Sequence, residues 1–263
     1  MLVLGMFVLS ACIKHPEELP LPKPFLIKRI VQVLETFRRT PKPGDTPTQL
    51  SKWIWELEYN NNCQLRLFRF YTSFIDTIKM RLSSTHIFLY DSQDRIKEIR
   101  TQYPESSRIG RQIFSYHGNE KLPFLEETVP AGDYIQGYAY RGDTVLSLFI
   151  LPDLTDTLGY IYKNGNITSW YLRDPRGASI IYDKYDNNPP IQKFMNLSRG
   201  DIISFPDEAR LPRLSRNNWT RYNTVYFHSD RHIRYNELSL PVFLYTLQRL
   251  PQQVNRFSTR FEY

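Results

Sequence analysis

The chain is expected to be all-β: a single large curved antiparallel sheet or open barrel made of consecutive hairpins, with one long irregular loop. Three observations predict it. From Phe25 onward, short runs dense in Tyr, Phe, Ile, Leu and Trp alternate with turn residues. The last aromatic before successive turns recurs at a slowly falling interval. Within the runs the aromatics often stand two apart, which places both on one face of a pleated strand. With 263 residues the chain is long enough for a sizeable core.

Residues Met1 to Ala11 are uncharged and mostly large and apolar, and Ile13-Lys14-His15-Pro16-Glu17-Glu18 then turn abruptly polar. The run is about half the ~20 residues of a membrane-crossing helix and fits the apolar segment of a signal peptide. Leu9-Ser10-Ala11-Cys12 resembles the lipobox of bacterial lipoproteins. That resemblance implies removal of residues 1–11 and a lipid on Cys12, the new N-terminus. No basic residue precedes the run, so the true start is expected a few codons upstream. The competing reading is a buried N-terminal strand with an ordinary core cysteine. With Cys12 lipidated, Cys63 is the one remaining thiol, too little for a disulfide or a Cys-based zinc site and expected to be a small buried hydrophobe. Pro16, Pro20, Pro22 and Pro24 make residues 12–24 an extended tether, and residues 25–263 form the β domain.

Leu26 to Phe37 carries both a helical period (Ile27, Ile30, Val31, Leu34, Phe37) and many β-branched residues. With Trp53 to Tyr59 alternating beyond a Pro-Gly loop, it is read as one arm of a long hairpin. Strand-turn-strand units then follow at Ile87–Ile99, Ile113–Leu122, Tyr138–Leu146, Tyr160–Ile167 and Ile180–Tyr185. Their last aromatics, Tyr90, Tyr116, Tyr140, Tyr162 and Tyr182, are 26, 24, 22 and 20 residues apart, room for one hairpin per unit. Asn164-Gly165 suits a type I′ turn, which needs φ > 0 twice. Pro189 to Tyr222 breaks the rhythm and is read as the long loop, with a short helix near Asp207–Leu211. Strands resume at Thr224–Phe227, Val242–Leu247 and Phe257–Tyr263, the last closing or edging the sheet.

The pairs Tyr138 with Tyr140 and Tyr160 with Tyr162 share a face and are the candidate ligand-binding residues, set against the plainer reading of core and cross-strand packing. The unit Tyr90-Asp91-Ser92-Gln93-Asp94-Arg95-Ile96 resembles a YD (Rhs-type) repeat, with Asp94 where glycine is usual. Together with the lipobox, Tyr182–Pro189 and Ser215–Asn218, the chain is similar to Bacteroidota lipoproteins that carry a curved sheet of YD-like hairpins. The resemblance implies a fold and an outer-membrane-anchored address in the cell envelope, its side of the membrane open, but no activity.

Charge adds little. The net +7 comes from 34 Lys and Arg against 27 Asp and Glu, the arginines scattered with Arg38-Arg39 their only adjacent pair, so no nucleic-acid footprint forms. The expected partners are the membrane, through the lipid, and a glycan or envelope protein. No catalytic residue, metal ligand or cofactor is assigned. His228 and His232 are four apart but flank Ser229-Asp230-Arg231, read as a turn. Asp183 with Asp186, Glu126 with Glu127, and Asp207 with Glu208 are the acid pairs that a polysaccharide hydrolase, the competing function, would need. Hydrolase elbows, phosphate loops and zinc helices are missing from the sequence, and the Arg-Gly-Asp triplets at 141–143 and 199–201 are ordinary turn chemistry.

Overall fold

A computed structural model describes residues 22–263 apart from 75–78, 121–122, 130–134, 142–143, 152–153, 165, 173–177, 196–216 and 225–226. The lipobox, Cys12 and the expected helix at 207–211 lie outside the described residues. The sixteen described strands are β1 (Arg29–Phe37), β2 (Gln49–Tyr59), β3 (Leu65–Phe74), β4 (Arg81–Tyr90), β5 (Ile96–Gln102), β6 (Ile109–Tyr116), β7 (Pro123–Val129) and β8 (Ile135–Arg141), followed by β9 (Thr144–Leu151), β10 (Leu154–Lys163), β11 (Asn166–Leu172), β12 (Ala178–Tyr185), β13 (Trp219–Thr224), β14 (His228–Tyr235), β15 (Pro241–Arg249) and β16 (Val254–Glu262).

Each strand pairs antiparallel with the next, and β16 pairs with β1 from Arg29 opposite Glu262 to Phe37 opposite Val254. The all-β meander is as expected, and the terminal strand closes the barrel instead of leaving it open. Closure removes both sheet edges. It also decides the ambiguous N-terminal segment: β1 is hydrogen-bonded on both sides, to β2 and β16, which no helix can be.

Four local readings are corrected. Tyr182 does not end a strand; β12 runs on to Tyr185, two bulges accommodating the extra residues against β13. Strand β13 ends at Thr224, whose N–H meets the Phe227 carbonyl (2.8 Å), where a strand was expected to begin. Ser229-Asp230-Arg231 is mid-strand in β14. Cys63 is a half-buried turn residue with φ +61°, not a core thiol.

The repeat has a physical form. Every even-numbered strand ends within one residue of a tyrosine: Tyr59, Tyr90, Tyr116, Tyr140, Tyr162, Tyr185, Tyr235 and Tyr263. Tyr59, Tyr90, Tyr116 and Tyr263 each donate their hydroxyl backward to a carbonyl at the start of the preceding strand, Ile27, Leu65, Ile96 and Pro241, at 2.6–2.8 Å. Burial raises the pKa of Tyr59, Tyr90 and Tyr263, so these hydroxyls stay protonated donors.

After Tyr59, Tyr90, Tyr185 and Tyr235 comes Asn or Asp. The Asp91 carboxylate accepts from the backbone N–H of Gln93 and Arg95, and Asn60 and Asn236 make the same two bonds in their own turns. The fourth turn residue sits at positive φ: Cys63 (61°), Asp94 (60°) and Ser239 (57°). This is why glycine is usual at the Asp94 position. Ser239→Gly is expected to raise stability by up to about 1 kcal/mol, read as a shift of the urea midpoint, because glycine relieves the left-handed strain.

The β12–β13 connection is the same turn, split open. Asp186 N–H donates to the Asn218 carbonyl, and the Asp186 carboxylate accepts from Asn188 N–H and Asn218 N–H, as Asp91 does within its five-residue turn. The irregular segment expected over 189–222 is therefore an insertion, residues 189–216, in one repeat turn. Its first part packs inward. Ile191, Phe194 and Met195 are buried in one cluster with Ile27, Leu65, Ile96, Leu240 and Phe261, and Ile27 N–H donates to the Phe194 carbonyl (2.8 Å). These three side chains plug the tyrosine end of the barrel on the side of β1 to β6, β15 and β16.

A candidate ligand-binding wall inside the barrel

Alternation gives the barrel two walls of opposite character. Near the plug the inner wall is apolar, with Leu57, Phe68, Phe88, Ile99 and Phe114. Farther from it the buried side chains turn polar: Gln32, Ser51, Ser84, Thr101, Ser229, Arg231, Thr246, Gln248 and Thr259.

The outer wall carries ion pairs on β1 to β3, β5, β6 and β12 to β16. Glu35 holds Arg256 in two contacts (2.7 and 2.8 Å), Glu58 holds Arg66 (3.1 Å) and Arg69 (2.5 Å), Glu98 holds Arg100 (2.9 Å) and Arg111 (2.6 Å), Asp230 holds Arg249 (2.7 Å) and Asp183 holds Arg221. Lys52 and Arg260 are exposed in mid-strand.

The densest concentration of chemistry on the inner wall spans β13 to β15. Tyr222 lies opposite Ser229, Ser229 opposite Gln248, and Arg231 opposite Thr246. Arg231 stacks its guanidinium on Trp219, 3.5 Å from the ring centroid. Trp219 meets Tyr222 edge-on at 4.8 Å, and Tyr182 completes an aromatic wall at 5.7–6.0 Å from both. Gln248 donates to the Tyr222 hydroxyl (3.1 Å). At the rim away from the plug, Phe227 packs edge-on against Tyr222 at 5.9 Å.

Of the four tyrosines expected to bind ligand, the side chains of Tyr138 and Tyr160 are described. Tyr160 is 4% exposed and packs in a cluster with Trp219 and Tyr222. Tyr138 is half-buried and donates to the buried Glu126 carboxylate (3.0 Å), which also accepts from Gln112 (3.1 Å). The side chains of Tyr140 and Tyr162 lie outside the described residues. A ligand would meet Tyr138 or Tyr160 from the interior.

The acid pairs are not brought together. Glu126 is inward while Glu127, its neighbour on β7, has the opposite face. Asp183 is committed to Arg221 on the outer wall, with its pKa lowered chiefly by that hydrogen bond. Asp186 is committed to its turn and to the Tyr235 hydroxyl (2.5 Å); Asp207 and Glu208 lie outside the described residues. His228 and His232 share the outer face of β14, about 13 Å apart at strand spacing, too far for one metal. No cluster of three metal-ligating side chains occurs among the described residues. Trp219, Ser229, Arg231 and Thr246 were missed in the sequence. The β14 alternation was the available signal, obscured by reading 229–231 as a turn.

No protein-family pattern matches the sequence, and no curated protein matches it. Among solved structures, a porin-like protein from Bacteroides uniformis superposes with a TM-score of 0.43 at 9% identity, over 90% of this chain and 96% of that one. So slight a likeness says nothing of function.

Proposed function

We propose that the protein is a non-enzymatic module of the cell envelope, tethered to the outer membrane by a lipid on Cys12, its barrel standing in water and taking a glycan or envelope-protein ligand. The charged outer wall supports this most directly. A barrel that spans a bilayer needs an apolar outer band, and a Lys or Arg at the midplane of that band costs about 2–4 kcal/mol. Lys52 and Arg260 in mid-strand, with ion pairs across β1, β2, β3, β5, β6 and β14 to β16, suit water. Ile191, Phe194 and Met195, packed inside the tyrosine end against β1 to β6, β15 and β16, occupy part of the lumen there and favour the same reading. A barrel that does not span needs another hold on the membrane, and the lipobox supplies one.

Fractionation of cells expressing the gene with its true start tests this. The wild type is expected in the membrane fraction, released by detergent and labelled by a fatty-acid analogue, and Cys12→Ser unlabelled and soluble without detergent. A Cys12→Ser protein that still needs detergent would mean that the barrel itself is embedded; equal labelling of the two would remove the lipid anchor.

A further inference from the structure

Six large apolar or aromatic side chains stand exposed among the described residues: Leu50, Leu82, Tyr103, Ile109, Ile181 and Leu238. Four of them share one place. Leu50 and Leu82 lie in the first two residues of β2 and β4, Ile109 opens β6, and Tyr103 directly follows β5. In an antiparallel meander these positions all belong to the rim away from the tyrosine turns, in the sector of β1 to β6. Leu50 stands opposite Glu35 and Leu82 opposite Tyr71 on the outer wall, and Ile109 is two residues before Arg111 on that same wall. Singly exposed apolar residues are ordinary, but a cluster of four, each 37–50% exposed, marks an interaction surface.

The connections that carry them are basic. Arg38, Arg39, Lys42, Lys79, Arg81 and Arg108 are exposed there, against Asp45 and Glu105; Asp76 lies outside the described residues. On the wall, cations are held by carboxylates, as Arg256 is by Glu35 and Arg111 by Glu98. At the rim Arg39 comes only within 3.9 Å of Asp45, and the other five cations make no ion pair among the described residues.

Free cations interleaved with outward leucine, isoleucine and tyrosine match an anionic bilayer surface, where the cations meet phosphate and the apolar side chains enter between headgroups. An acidic polymer in water would use the charges and leave Leu50, Leu82 and Ile109 hydrated. A second copy of the chain would cover the apolar groups but set the basic rim against itself.

We infer that the β1 to β6 sector of this rim docks on an anionic phospholipid surface. Only the rim side chains meet headgroups; Lys52, the next outward position after Leu50, stays in water with the ion-paired wall. The chain enters the barrel at the tyrosine end, but residues 12–22 reach about 34 Å when extended. An 11-residue strand tilted by about 40° rises about 28 Å, so a lipid on Cys12 and the rim reach the same membrane. Docking goes beyond the envelope-module reading and does not need the lipid, so the two fail separately.

Sedimentation with vesicles tests it on the chain from residue 12 onward, carrying Cys12→Ser so that no lipid anchors it. Phosphatidylcholine vesicles with about one third phosphatidylglycerol are expected to bind at least about tenfold more tightly than pure phosphatidylcholine, an advantage lost at about 0.5 M salt. Arg38→Gln with Arg108→Gln should weaken the anionic binding by about tenfold or more. Lys28→Gln with Lys97→Gln, which removes the same charge at the tyrosine end, should change it by less than about twofold. Leu82→Ser with Ile109→Ser should weaken it by about fivefold. All six positions are exposed, so these variants keep the fold. No binding to the anionic vesicles, or equal binding to both compositions, would overturn the inference. So would equal losses from the two charge pairs, which would assign the binding to net charge. Polygalacturonate binding without vesicle binding, or a dimer abolished by the Leu82 and Ile109 replacements, would hand the rim to another partner and overturn it too.

Discussion

Deleting residues 189–216, with Asn188 joined directly to Asn217, is expected to give a barrel that still folds but is about 3–8 kcal/mol less stable. The join restores a five-residue turn, Asp186-Asn187-Asn188-Asn217-Asn218, of the length of Asp91-Ser92-Gln93-Asp94-Arg95. It puts asparagine, which tolerates positive φ, at the Asp94 position. The hydrogen bonds of Asp186 to Asn188 and Asn218 already have the form that turn requires. What is lost is the plug. Burying Ile191, Phe194 and Met195 contributes roughly 1.5–3 kcal/mol each, and shortening the connection returns about 1–2 kcal/mol of closure entropy. Against a typical total of about 5–15 kcal/mol, urea titration will resolve the difference. Phe194→Ala alone should cost about 3–5 kcal/mol. A deletion variant as stable as the wild type would mean that the plug is not part of the core.

Glu98→Gln is expected to destabilise the barrel by about 1.5–3 kcal/mol at pH 7, with a loss that fades in acid. The Glu98 carboxylate accepts from Arg111 (2.6 Å) and Arg100 (2.9 Å) across β5 and β6, and those hydrogen bonds, with the two positive charges, hold its pKa down to about 2. Hydrogen bonds to charged partners contribute in that range. Because the folded pKa lies below the unfolded value, the stabilisation is complete above about pH 4.5. It is lost as the pH falls through about 2. Urea midpoints of wild type and variant should therefore converge between pH 4.5 and 2, and a gap that persists at pH 2 would assign the effect to side-chain packing instead of charge.

The sequence carried the fold further than the site. Hairpins are legible because these turns announce themselves: Asn60, Asp91 and Asn236 cap their own backbone, and Tyr59 and Tyr90 before the first two each bond a carbonyl. The same rule explains the misreading at Tyr182. Tyr185-Asp186 is the true turn signal, but its second half lies beyond the insertion, and no local pattern joins Asn188 to Asn218. Whether the terminal strand closes or edges the sheet stays open in the sequence, because the pairing of β1 with β16 links residues more than two hundred positions apart. For the tyrosines, alternation says that residues two apart share a face, but not which face is inside. Arg231 was invisible for the opposite reason, since a single arginine among scattered charges gives no hint that it will lie buried on Trp219.

That the wall of this barrel meets water and not lipid is tested most directly by spin-label accessibility. In a Cys63→Ser background that keeps the Cys12 lipid, a nitroxide is placed at Lys52→Cys or Arg260→Cys, the protein is bound to vesicles, and relaxation by a water-soluble nickel chelate is compared with relaxation by oxygen. Strong relaxation by the chelate at both positions is the expected result; protection from the chelate with preferential relaxation by oxygen would place the wall in the bilayer and contradict it.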